Sequence, residues 1–101
     1  MNSREHLLTC LMEECSEIQK PICKALRFGE NDHYPNKAFP TATSSNIQDI
    51  SDELDDLQGV VELLIENGIL LRVANREKIE AKKIKVNGYM EYARNVGALK
   101  D

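Results

Sequence analysis

Two short stretches of the sequence carry acidic residues at the same spacing. The first contains Glu14 and Glu17, and the second contains Glu53 and Asp56. In an α-helix, residues three positions apart are neighbours on one surface, so each pair presents two carboxylates side by side. Carboxylate oxygens are ligands that hard divalent cations such as Mg²⁺ prefer. The spacing therefore indicates a candidate metal site, provided that the two pairs meet.

Both pairs lie on the same border of an apolar stripe. With a rotation of about 100° per residue, Glu14 lies about 40° from Ile18 and Glu53 about 40° from Leu57, and the second acid of each pair lies about 100° from the same reference residue on the same side. The first stripe comprises Leu7, Leu11, Cys15, Ile18, Ile22 and Ala25, and the second comprises Ile50, Leu54, Leu57, Val61 and Leu64. If the helices pack antiparallel through these stripes, the four carboxylates can converge.

Converging carboxylates need a positive charge to offset their repulsion. Two unit charges about 4 Å apart repel by about 4 kcal/mol at an effective dielectric constant of about 20. No Lys or Arg occurs from residue 38 to residue 71, and only Lys20 follows the first pair closely enough to neutralise it. The sequence therefore predicts that these four acids bind a divalent cation, with Mg²⁺ preferred and Mn²⁺ as a substitute.

The acids also have a simpler interpretation, which is that they form a solvated face on each helix. Other metal sites fit less well. A di-iron carboxylate bundle needs Glu-x-x-His pairs on two of its helices, and the two histidines of the chain do not supply them. The calcium-binding loop of an EF-hand is also absent. A magnesium site and a solvated face thus remain the alternatives.

A third helical segment carries lysines on the corresponding border of its stripe. Lys82 lies about 40° and Lys85 about 100° from Val86 of that stripe, on the side where the other segments carry acids. Lys83 lies on the opposite border. Lysines beside a metal–carboxylate site suit phosphate oxygens, so we predict that these three lysines bind substrate phosphates. The alternative is a solvated run whose aliphatic stems cover the core.

Three helical segments are predicted to position these groups. Their limits are Ser3, as the N-cap, to Phe28, then Ser44 or Ser45 to Asn67, then Asn75 to the residue before Gly97. Pro21 cannot donate a hydrogen bond to the carbonyl of Glu17, so we expect a kink just after the first acidic pair. Residues 29–46 are rich in turn-forming residues and predict a long loop that covers a site; Tyr34 and Phe39 are expected to anchor this loop, and the alternative is that they stack on a base.

Composition narrows the class of protein. The chain has 101 residues, of which 42% are hydrophobic and 30% charged, and no apolar run approaches the roughly 20 residues of a membrane span. The N-terminus lacks a secretory pattern, so we expect a cytoplasmic protein without a membrane partner. A net charge of -4 argues against a nucleic-acid polymer as partner. Three cysteines without C-x-x-C spacing are expected to be buried reduced thiols.

We therefore expect an all-α protein with a single helical domain over residues 1–101. It should have three long helices per chain and a long loop after the first. A domain of this size buries only a modest share of its surface. Self-association as a dimer or tetramer is expected to complete a four-helix-type bundle core.

The chain resembles the all-α nucleoside triphosphate pyrophosphohydrolases, the MazG-like superfamily, and in particular its small single-domain members. Their signature is E-E-x-x-E followed after a loop by E-x-x-D, and here it reads Glu13-Glu14-Cys15-Ser16-Glu17 and Glu53-Leu54-Asp55-Asp56. The order of helical elements is similar across most of the chain. The gap between the two motifs is longer than in compact members, and Pro21 follows the first motif closely.

The resemblance implies Mg²⁺-dependent hydrolysis of a nucleoside triphosphate, often a deoxy form, to monophosphate and pyrophosphate, for house-cleaning or control of the nucleotide pool. By position, the four acids are metal ligands, Lys82 and Lys85 meet the phosphates, and Glu13 ligates a second ion or orients the attacking water. The alternatives are a member that hydrolyses another phosphorylated substrate, and a non-catalytic helical module that binds a metal or a protein partner.

Overall fold

A computed structural model describes residues 1–33, 43–71 and 74–101. Within these ranges the helices are α1 (Ser3–Glu17), α2 (Gln19–Phe28), α3 (Asn46–Glu66) and α4 (Arg76–Asn95). No β-strand occurs among the described residues, so the all-α prediction is confirmed. The three predicted helical segments are present, and the first is divided into α1 and α2. The predicted loop lies largely outside the described residues, as do Tyr34 and Phe39.

The start of α1 corrects the predicted N-cap by one residue. Asn2 is the cap: its side-chain oxygen accepts a hydrogen bond from the N–H of Glu5 at 2.8 Å. The carboxylate of Glu5 in turn accepts from the N–H of Asn2 at 3.1 Å. This capping box requires Glu or Gln three residues after the cap, and Glu5 meets that spacing from Asn2 but not from Ser3.

The ends of α3 and α4 agree with the sequence. Ser45 caps α3 and exchanges hydrogen bonds with Gln48, while Asn75 accepts from the N–H of Lys78 at the start of α4. Gly68 follows α3 with a φ of 70°, and Gly97 follows α4 with a φ of 82°. Glycine adopts this left-handed backbone without the steric penalty of a side chain, so both helices stop where predicted.

The interruption between α1 and α2 falls at Ile18, directly after Glu17. Ile18 keeps right-handed helical angles, with φ -65° and ψ -30°. Pro21 has no N–H to donate to the carbonyl of Glu17, so the hydrogen-bond ladder breaks there although the chain continues to turn. Pro21 itself is buried. The helix is thus interrupted at the position where the sequence predicts a kink.

The chain forms two compact units, Met1–Leu71 and Arg72–Asp101. In the first unit, α1 and α2 both pack against α3. Asn46, at the start of α3, donates its side-chain N–H to the carbonyl of Gly29, just after α2, at 2.9 Å. At the other end of the unit, His6 of α1 and Asn67 after α3 line one groove. The first two helices therefore run antiparallel to α3, as the convergence of the acids requires.

The core of the first unit is small. Leu64 of α3 is completely buried, whereas Leu54, in the same stripe, is 48% exposed. The cysteines are free but not buried as predicted: Cys10 is half-buried, and Cys15 and Cys23 are exposed. The sides of α1 and α2 that carry Cys15 and Cys23 are therefore open to solvent. The single domain and the bundle completed by self-association stay predictions.

No described helix combines the length and the apolar character that crossing a membrane requires.

Leu64→Ala should destabilise the first unit strongly. Truncating a fully buried leucine removes its transfer free energy and leaves a cavity, which costs about 2–5 kcal/mol of unfolding free energy. Leu71→Ala is the matched control, since Leu71 is 95% exposed and its truncation should change stability by less than about 0.5 kcal/mol. Urea denaturation followed by circular dichroism measures both. Equal losses in the two variants would contradict the assigned core.

Candidate metal centre

Three of the four predicted metal ligands come together. Glu14 of α1 and the pair Glu53 and Asp56 of α3 each offer a carboxylate oxygen, and these oxygens all lie within 4.8 Å of one another. Glu14 and Glu53 are half-buried, and Asp56 is exposed. We call these three residues the acidic cluster. Its geometry follows from the antiparallel packing of α1 on α3, since each acid borders the stripe through which its helix packs.

Glu17 lies beside the acidic cluster rather than in it. It is the last residue of α1, its side chain is exposed, and it lines a groove of about 240 Å³ together with Glu53. Asp49 and Asp52 of α3 line the same groove. Glu13 is exposed and belongs to neither the cluster nor the groove walls. The structure thus brings Glu17 close to the cluster and leaves Glu13 on the open side of α1.

Burial and neighbouring carboxylates both act on the carboxyl group of Glu53. Its pKa is raised above the ordinary value of 4.5, first by desolvation and then by the carboxylates of Asp56, Glu14, Glu17 and Asp49. Both causes disfavour the ionised form. The site therefore favours either a proton on Glu53 or a cation near it.

No basic side chain of the described residues forms an ion pair with the acidic cluster. The ion pairs found within the described ranges join Arg76 and Lys83 to Glu80, and Arg94 to Asp101, all in the second unit. The carboxylate repulsion at the α1–α3 contact is thus not offset by a direct lysine or arginine partner there. This agrees with the scarcity of basic residues noted in the sequence.

The donor set fits a hard divalent cation. Mg²⁺ binds oxygen ligands at about 2.0–2.1 Å in an octahedron, so two of its ligands lie about 3 Å apart when adjacent and about 4.2 Å apart when opposite. The 4.8 Å limit on the oxygen separations of the cluster exceeds these values by an amount that small side-chain rotations can close. Three carboxylates leave further coordination positions for water and phosphate oxygens.

Asp49 is a neighbour of the site that sequence reasoning missed. It lies one helical turn before Glu53 on α3, and its carboxylate accepts a hydrogen bond from the hydroxyl of Ser44 at 2.7 Å. Residues four positions apart share a helix face, so the spacing from Glu53 was a usable signal. Lys24 of α2 lines the same groove and was missed as well.

The predicted phosphate-binding lysines lie on α4, in the second unit. Lys83 forms an ion pair with Glu80 at 3.3 Å, and the Lys85 ammonium lies 5.9 Å from the ring centre of Tyr89. Lys82 and Lys83 line a groove of about 340 Å³ on this helix. These contacts are ordinary for an exposed helix surface. The role of the three lysines in binding substrate phosphates stays a prediction.

Comparisons of the chain with models of known protein families, with curated proteins and with solved structures found no match.

Glu53→Gln should raise the thermal stability of the metal-free protein at neutral pH. The raised pKa means that ionised Glu53 opposes folding, and glutamine removes that charge with nearly the same shape. This destabilisation by Glu53 is absent below about pH 4.5, the ordinary pKa, because the carboxyl is then protonated in both the folded and the unfolded state. It grows as the pH rises through the raised pKa, because the folded state then binds more protons than the unfolded state.

Melting temperatures in EDTA, followed by circular dichroism from about pH 4, close to the ordinary pKa of glutamate, to about pH 8, check this. The difference between variant and wild type should widen as the pH rises. Glu62→Gln, an exposed change on the same helix, is the control and should show no such trend. A lower melting temperature for Glu53→Gln at neutral pH would contradict the assigned repulsion.

Proposed function

We propose that the protein is a Mg²⁺-dependent nucleoside triphosphate pyrophosphohydrolase that converts a (deoxy)nucleoside triphosphate to the monophosphate and pyrophosphate. The observation that carries the proposal is the meeting of Glu14 with Glu53 and Asp56 across two helices. The two acidic motifs and their order along the chain support the same reaction through the family resemblance.

The acidic cluster is the proposed cation site. Glu14, Glu53 and Asp56 would hold the ion, and the exposed side chain of Glu17 would supply a fourth ligand by rotation. When bound, Mg²⁺ supplies positive charge that offsets the charge developing on the phosphate oxygens. The chain's own contribution is to hold the carboxylates preorganised on two packed helices, so that little reorganisation is needed during the reaction.

The proposed reaction is an in-line displacement at the α phosphorus. A water oxygen forms the new bond to phosphorus, while the bond from phosphorus to the oxygen bridging the α and β phosphates breaks. Pyrophosphate leaves with that bridging oxygen, and the water proton passes to a carboxylate and then to solvent. Glu13, adjacent to Glu14 on α1, is the residue proposed to orient the water or to ligate a second ion.

The proposal also assigns residues that bind the substrate phosphates and includes a second copy of the chain. Lys82, Lys83 and Lys85 are proposed to contact the phosphates as point charges. Self-association as a dimer or tetramer is proposed because large apolar side chains of the packing helices remain accessible, among them Leu54 at 48% and Leu26 at 84%. Burying them between copies would build the bundle core that the first unit lacks. Removal of non-standard or excess nucleotides is the proposed purpose.

The same exposed apolar side chains favour the rival function, a helical metal-binding or protein-interaction module without turnover. Such a module would use the apolar surface for a partner and the acids for a cation or for solubility. Turnover separates the two functions, because only the hydrolase changes a nucleotide covalently.

Incubation with a panel of ribo- and deoxyribonucleoside triphosphates plus Mg²⁺ should yield monophosphate and pyrophosphate, identified by ion-exchange chromatography. Glu53→Gln should lower kcat by about a thousandfold or more, since a lost ligand removes several kcal/mol of transition-state stabilisation. EDTA should abolish turnover. Glu62→Gln carries the same charge change on the same helix and should retain wild-type activity.

Diphosphate and phosphate as products would contradict attack at the α phosphorus. Full activity of Glu53→Gln would remove the acidic cluster from the mechanism. Absence of turnover across the panel, together with retained partner binding by Glu53→Gln, would favour the interaction module.

A further inference from the structure

The exposed surface of α2 carries a row of positive charge. Lys20, Lys24 and Arg27 follow one another at spacings of four and three residues, which places them within an arc of about 60° on the helix. They line a groove of about 630 Å³ whose other walls are Ser16, Glu17, Gln19 and Cys23. Seven helical residues span about 10 Å, so the row is long enough for a chain of two or three phosphates.

This basic groove adjoins the groove beside the acidic cluster. The two grooves share three lining residues, Glu17, Lys20 and Lys24. The groove beside the acidic cluster is also lined by Glu53. Both grooves lie in the first compact unit. A ligand can therefore occupy the acidic end and extend along α2 without leaving a continuous surface. The sign of the lining charge changes from negative to positive along that path.

The lysines of the row are not consumed by ion pairs. Among the described residues, the ion pairs involve neither Lys20 nor Lys24, although carboxylates line the groove beside them. The guanidinium of Arg27 lies 5.0 Å from the ring centre of Phe28, a stacking that leaves its N–H groups at the guanidinium edge free to donate. Three cationic groups are thus available to a ligand in the basic groove.

We propose that the basic groove along α2 binds the β and γ phosphates of a triphosphate ligand, which leave together as pyrophosphate. The inference rests on the proposed function and deepens it, because it places the α phosphate at the acidic cluster and gives the leaving group its own binding residues. Lysine ammonium groups and the fork of Arg27 neutralise a polyphosphate chain, and the arginine can bind two of its oxygens at once. The recognised chemistry is the polyphosphate chain, whether it carries a nucleoside or not.

Isothermal titration calorimetry with inorganic tripolyphosphate and Mg²⁺ tests the groove without requiring turnover. Lys20→Gln/Lys24→Gln should bind tripolyphosphate about tenfold more weakly than the wild type, because two exposed charge interactions are lost. Lys78→Gln/Lys100→Gln is the matched control, since both lysines are exposed and the change in net charge is the same. Its affinity should stay within about twofold of wild type. Lys20→Arg/Lys24→Arg keeps the charges and should restore binding.

Circular dichroism confirms that each variant is folded before titration. If the glutamine variant does not fold, the tripolyphosphate affinity of the arginine variant is the measurement that tests the groove. Equal affinity in the glutamine variant and the wild type, equal weakening in the control, or no tripolyphosphate binding by the wild type would each overturn the proposal. Titration with a deoxynucleoside triphosphate in Ca²⁺ distinguishes a nucleotide site, which binds it more tightly than tripolyphosphate, from a site for the bare chain.

The two proposals fail separately. If the wild type hydrolyses nucleotides while Lys20→Gln/Lys24→Gln keeps the wild-type KM and tripolyphosphate affinity, the hydrolase stands and the groove assignment falls. If the lysines bind tripolyphosphate but no nucleotide is hydrolysed, the groove stands and the hydrolase falls.

Discussion

Repulsion among carboxylates at the contact of α1 with α3 is the constraint on which the rest of the structure depends. The apolar stripes that pack the two helices also bring Glu14 to Glu53 and Asp56, so burial of the stripes and separation of the charges oppose each other. The raised pKa of Glu53 records that conflict. A cation bound at the cluster would offset the repulsion without moving either helix, whereas acids on a solvated face would point away from one another.

Pro21 links the two charged surfaces of the first unit. Its missing N–H ends the ladder of α1 at Glu17 and lets α2 begin at Gln19. The acids lie before this break, and the basic row that starts at Lys20 lies after it. The helix break caused by Pro21 thus coincides with the change from an acidic surface, proposed for a metal, to a basic one, proposed for phosphate oxygens. Glu17 lines the grooves of both surfaces.

The small core sets a limit on what the first unit can do alone. Leu64 is fully buried, and the buried side chain of Asn46 holds the end of the α2 segment to the start of α3. Few other side chains among the described residues of this unit are buried, so their hydrophobic contribution to folding is modest. Repulsion among the carboxylates lowers the free energy of unfolding, and a unit with a small core has little to offset that loss. A bound cation and association with a second copy would each stabilise such a unit.

Local interactions determined what could be predicted from the sequence: the caps Ser45 and Asn75, the break at Pro21, and the border on which each acid lies. These depend on hydrogen bonds and helical spacing within a few residues. Only the tertiary structure decided that Glu14 joins Glu53 and Asp56 while Glu17 stays outside, that Asp49 adds its charge, and that the cysteines are not buried. Periodicity gives the angle of a side chain around its own helix, but not the height and rotation at which two helices pack, and those set which carboxylates meet.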